Sequence, residues 1–154
     1  MSDLRKVVQL FYDDALAGVR SRWRNLDGSW SAEQRLGGAV PLVTGITAIM
    51  VPGTPVLQLF YLGDNGSGGG YGVYSRTRNL DGSWSAEQRL GGQAFGFVTA
   101  VVVPGTEVLQ LFYSGHDDDP SVYSRWRNPD GSWSAEQRLG GQAFNYITAA
   151  LIPV

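Results

Sequence analysis

The chain has no cysteine, a single histidine and only two methionines among its 154 residues. Without thiols it can build neither a disulfide framework nor a thiolate metal site. It also lacks an excess of one charge. Its 12 basic and 14 acidic residues leave a formal net charge of −2, which gives no long-range pull toward nucleic acid or an anionic membrane. Long apolar runs are missing too. The opening stretch MSDLRKVVQLFYDDALAG sets charges on both sides of a short apolar segment, too short and too charged for a signal peptide or a membrane span. The expectation is a soluble chain with no membrane insertion, cytoplasmic or released by a non-classical route. Long amphipathic helical periodicity is also absent. Glycine is abundant, at 21 residues, clustered between runs rich in Val, Ile, Leu, Phe, Tyr and Thr. That pattern is all-β.

Self-similarity dominates the rest. RNLDGSWSAEQRLGG stands at 24–38 and again at 78–92, and returns at 127–141 with one change, Pro129 for leucine. Trp30, Trp84 and Trp133 mark equivalent points, 54 and then 49 residues apart. The five extra residues of the longer interval fall in AVPLVTG and in the glycine-rich GDNGSGGGYG, places where loops tolerate insertion. One unit reads as four strands: FVTAVVV (97–103), EVLQLFY (107–113), VYSRWRN (122–128) and SWSAEQRL (132–139). Pro104-Gly105 turns the first into the second, and Asn128-Pro129-Asp130-Gly131 makes a type I turn with glycine left-handed. The first strand is apolar on both faces and must be covered on both. Polarity then climbs strand by strand. A sheet grading from fully buried to half exposed is a blade of a β-propeller, its first strand nearest the axis.

KVVQLFY (6–12), VRSRWRN (19–25) and SWSAEQRL (29–36) match the second, third and fourth strands, so a blade at 6–36 lacks its innermost strand. YITAALIPV (146–154) matches an innermost strand with no blade of its own. Complete blades occupy 43–90 and 97–139, so the single domain 1–154 holds three blades in all. Rings of three do not close readily, since propellers run from four blades upward. A doubly apolar strand left unpaired is an aggregation hazard. The expected answer is a homodimer in which strand 146–152 of each chain completes the first blade of the other, closing a six-bladed ring. A nine-bladed trimer satisfies the same arithmetic.

The layout LGG, apolar strand, VLQLFY, VYSRWRN, DGSW, LGG resembles bacterial β-propeller lectins of the PLL-like group, and is similar to the fucose-binding propeller lectins of the Aleuria type. The resemblance covers nearly the whole chain. It implies sugar pockets between neighbouring blades, with aromatic rings beneath the sugar, and glycans, fucosylated ones among them, as partners. Trp126 with Trp133, and Trp23 with Trp30, match the family's paired aromatics; Trp84 keeps one of the pair where Thr77 replaces the other. The Aleuria-type arginine is replaced by Gln9, Gln58 and Gln110, and its glutamate by Arg20, Tyr74 and Tyr123.

Each candidate residue has two readings. Trp30, Trp84 and Trp133 either fill the gap between blades or stack against a sugar. Trp23 and Trp126 favour binding, because Thr77 shows that the unit folds without a tryptophan there. Gln9, Gln58 and Gln110 interrupt apolar strands and either bond to the backbone of the next blade or reach into a pocket. Arg22, Arg76 and Arg125 lie beside Glu33, Glu87 and Glu136, as cross-strand ion pairs on the rim or as groups gripping sugar hydroxyls. The acidic GHDDDP loop has no calcium-loop spacing, and His116 has no counterpart in the other units, so both read as solvated loop. No metal or cofactor is expected. An enzyme needs carboxylates whose environments differ, and the repeated acids here are equivalent. The chain therefore reads as a multivalent lectin. The alternative is a symmetric scaffold, engineered or recently amplified, that retains no ligand.

Overall fold

A computed structural model describes residues 7–14, 18–36, 43–64, 71–116, 118–144 and 146–153. Among them every regular element is a strand: β1 (Gln9–Asp14), β2 (Gly18–Trp23), β3 (Gln34–Arg35), β4 (Val43–Met50), β5 (Leu57–Asp64), β6 (Tyr71–Arg78), β7 (Gln88–Val102), β8 (Leu109–Ser114), β9 (Val122–Arg127) and β10 (Gln137–Gly140). All pairings are antiparallel. The order is β1-β2-β3 in a three-stranded sheet and β4 to β10 in sequence in a seven-stranded one.

The seven-stranded sheet is two four-stranded units sharing a strand. The first part of β7 pairs with β6, from Ser75 opposite Gln88 to Tyr71 opposite Ala94. The rest pairs with β8, from Phe95 opposite Ser114 to Val102 opposite Leu109. Before that change of partner β7 turns a corner through Gly91 and Gly92, with φ of 92° and 79°, where its ladder with β6 shifts register. Two successive left-handed residues inside a strand are a conformation that glycine alone adopts without steric cost. The pair recurs as Gly140 and Gly141, again left-handed, just after β10.

Residues opposite one another in a ladder share a face. Leu59, Tyr61 and Tyr74 therefore lie on one face of the second unit, with Phe60, Leu62 and Val73 on the other. The first face packs against Phe11, Val19 and Leu36 of the three-stranded unit. The second packs against Leu109, Leu111, Tyr113 and Val98 of the third unit. Burial on both sides is why β5 reads as a nearly continuous apolar run. The units stack face to face, and the core is the pair of layers between them.

The aspartate turns form as their residues require. Gly28, Gly82 and Gly131 are left-handed and donate to the carbonyls of Asn25, Asn79 and Asn128. The fourth strand is shorter than the expected 132–139. Trp133 forms only an isolated bridge with Arg127, and the ladder resumes at Gln137. Ser134 is the cause: its Oγ accepts from the Trp126 amide at 3.1 Å, so a side chain replaces a rung. Ser31 and Ser85 do the same toward Trp23 and Thr77.

Residues 146–153 join no ladder with any described strand of the same chain. They nevertheless lie at the stack. Tyr146 stacks on Phe97 of β7, with centroids 4.3 Å apart. One unit earlier, a Cβ on Gly45 of β4 would come within 2.7 Å of the Phe97 Cα. So β4, the second part of β7 and the tail are successive neighbours.

Candidate functional site

The repeated polar residues are drawn into bonds inside their own units. Gln9, Gln58 and Gln110 each donate through Nε2 to a serine on the adjacent strand, Ser21, Ser75 and Ser124, at 2.7, 2.8 and 2.9 Å. All three serines are buried. The partner of each Nε2 is thus a hydroxyl across the ladder within the same unit. The Gln58 Oε1 atom is buried without a partner.

Glu33, Glu87 and Glu136 accept hydrogen bonds from the hydroxyls of Tyr12, Tyr61 and Tyr113. These tyrosines close the VVQLFY and VLQLFY strands, and their role was hidden because it depends on which carboxylate the register brings opposite. Burial, then the carboxylate beside each hydroxyl, pushes Tyr61 and Tyr113 far above the usual phenol range. The expected arginine–glutamate pairing holds for Arg125 and Glu136, at 3.8 Å. In the first unit the partner of Glu33 is Arg20, at 3.1 Å, not Arg22. Arg76 crosses to the preceding unit and donates to the Leu36 carbonyl. Its Nε donates to the Ser85 carbonyl at 3.0 Å.

The tryptophans divide into two groups. Trp84 meets Phe11 edge-on at 5.8 Å, and Trp133 meets Phe60 likewise at 5.7 Å, so both fill the space between units. Trp30, their equivalent in the first unit, is 46% exposed. Trp23 and Trp126 are half-buried and sit opposite Gln9 and Gln110. Thr77 holds the same register opposite Gln58 in the second unit, whose ladder is intact. The sheet therefore does not need an indole at that position.

A cleft of about 350 Å³ opens at the junction of the second and third units, between Gly92-Gln93 at the β7 corner and His116, Asp119, Tyr123 and Glu136. Gly92 keeps it open, since a Cβ there would come within 2.8 Å of the Glu136 Oε2 atom. Asp119 accepts from Arg138 at 3.0 and 3.1 Å, from the Ser121 hydroxyl at 2.5 Å and from the Tyr123 hydroxyl at 2.6 Å. Arg138 above all, then Ser121 and Tyr123, hold its carboxyl well below the usual range. The acidic loop thus builds one wall of a cleft instead of being wholly solvated. Of the residues singled out in the sequence as ligand-binding, only Glu136 lines it. Its lack of repetition in HDDD was the available signal. The segments 37–42 and 65–70, which correspond to the β7 corner and the acidic loop in the sequence repeat, lie outside the described residues.

No protein-family model matches the chain, and no curated protein matches its sequence.

Proposed function

We propose that the chain is a carbohydrate-binding protein, a lectin whose stacked units are blades of a β-propeller and whose sugar sites lie between them. The observation that carries this reading is the junction cleft. It combines an aromatic ring, an amide, an imidazole and carboxylates, the mixture of apolar face and hydrogen-bonding groups that a saccharide requires. Trp126 offers a second stacking surface on the opposite face of the third unit, beside Gln110. Trp23 beside Gln9 repeats that surface in the first unit, and several weak sites together give avidity toward a glycan-coated surface. Binding, not catalysis, is the reading, because each repeated carboxylate is held by an equivalent tyrosine hydroxyl.

The bonds that the glutamines and glutamates make within their own units favour the other reading, a scaffold without ligand. A glycan array followed by titration with simple sugars separates the two. The lectin reading expects saturable glycan binding, weakened at least tenfold by Gln93→Ala at the cleft or by Trp126→Ala at the stacking surface. A folded sample that binds no glycan leaves the scaffold.

A further inference from the structure

We infer that the segment 146–152 is the innermost strand of a fourth position in the stack, and that it pairs in a defined register with β1 of a second copy of this chain. The inference rests on the propeller reading above and adds its closing interface.

Three internal contacts set that interface. The first is the ladder. β1 has β2 on one side and no partner strand on the other among the described residues. Its equivalents β5 and β8 have partners on both sides, β4 and the second part of β7. The open face beside it leaves its mark too: Leu10 is 49% exposed, whereas the equivalent Leu59 and Leu111, each packed on the preceding unit, are both at 0%. The tail is exposed to match, with Tyr146 at 79%. It follows the same glycine corner that introduces the second part of β7, and it lies against Phe97. Carrying over the pairs Val98–Tyr113, Ala100–Leu111 and Val102–Leu109 sets Ile147 opposite Tyr12, Ala149 opposite Leu10 and Leu151 opposite Val8.

The second contact is aromatic. Trp84 on Phe11 and Trp133 on Phe60 each join a unit to the one before it. The third member of the series, Trp30 on Phe112, is unmade within the chain, and Trp30 is largely exposed. The third is polar. Arg76 donates to the Leu36 carbonyl of the preceding unit, so Arg22 donates in the same way to the Leu139 carbonyl of the other copy. The two open faces of one chain are therefore complementary to each other. Two copies satisfy both pairs of faces at once through a two-fold axis, and the junction bearing Trp126 is completed in that assembly.

The chain has no cysteine, so introduced thiols report without background. Leu10→Cys with Ala149→Cys places thiols on one face of the inferred ladder. Leu10→Cys with Ala150→Cys places them on opposite faces, since a shift of one residue reverses the side chain. A short thiol-specific crosslinker is expected to join chains in the first variant at least tenfold more efficiently than in the second. Equal yields, no interchain product from a folded variant, or linkage within one chain overturns the inference. Amide hydrogen exchange on the unmodified chain guards against misfolded variants. Protection at 147–151 that grows with protein concentration supports the pairing, and fast exchange at every concentration overturns it. Glycan binding by the crosslinked sample is scored separately, so its absence counts against the lectin reading alone.

Discussion

Trp133 stands edge-on to Phe60, with centroids 5.7 Å apart and planes at 88°, and this meeting joins the third unit to the second. The indole belongs to the aspartate hairpin of one unit and the phenyl to the second strand of its neighbour. Edge-on pairs contribute ~0.5–1.5 kcal/mol beyond the area they bury. With the half-buried indole itself removed, Trp133→Ala is expected to lower unfolding free energy by about 2 kcal/mol in urea. Trp84→Ala should cost a similar amount, since Trp84 and Phe11 repeat the geometry at 5.8 Å and 90°. A loss below about 0.5 kcal/mol in either would show that these rings do not hold the stack.

Gln58 and Ser75 form an isolated polar bond inside an apolar layer, both nearly fully buried. Removing one partner strands the other, at a cost of ~1–3 kcal/mol, whereas removing both with apolar replacements is close to neutral. Gln58→Leu and Ser75→Ala should each destabilise by about that amount. The double variant should recover most of the loss, and additive losses in the cycle would contradict the clamp.

Gly45 has φ of 58°, and a Cβ on it would meet the Phe97 Cα at 2.7 Å and the Gly96 carbonyl oxygen at 2.8 Å. Those atoms are backbone and cannot step aside. Gly105 is also left-handed, at 72°, but nothing lies within 4 Å of its Cβ position. Gly105→Ala should cost only the conformational penalty, ~1–2 kcal/mol. Gly45→Ala should cost clearly more in the same denaturation assay. Equal losses would show that β4 and β7 are not in close contact.

Asp27, Asp81 and Asp130 each accept from the hydroxyl and the amide of the serine two residues on, and these bonds hold their carboxyls below the usual range. Asp119 is held down chiefly by Arg138. A carboxyl with a lower pKa in the folded state binds its proton later than in the unfolded chain, whose value is ~3.9. The stability it contributes is present above that value and is lost as pH falls below it. Urea midpoints should therefore fall below about pH 4 through these groups. The fall should be shallower in the triple variant Asp27→Asn, Asp81→Asn, Asp130→Asn, and an unchanged slope would contradict the turn account.

Strands and repeat were legible because two-sided burial writes itself into sequence. LQLFYL stays nearly apolar because both of its faces meet a neighbouring unit. The hairpin turns were legible because NLDG and NPDG carry the left-handed glycine. The polar bonds were not. Whether Gln110 reaches Ser124 or a ligand depends on register, and so does the choice of Tyr113 as partner of Glu136. Ser134 shortens the fourth strand by putting its hydroxyl into the ladder, a competition that composition does not reveal. The cleft escaped notice because Gly92 and Glu136 are 44 residues apart and meet only across a junction.

The account turns on whether the open faces bearing Leu10 and Phe112 find each other in a second molecule. The native mass of the full-length chain in dilute solution, by light scattering, tests this most directly. A particle of two chains is the predicted result. A compact single chain, or an assembly of three, would contradict it.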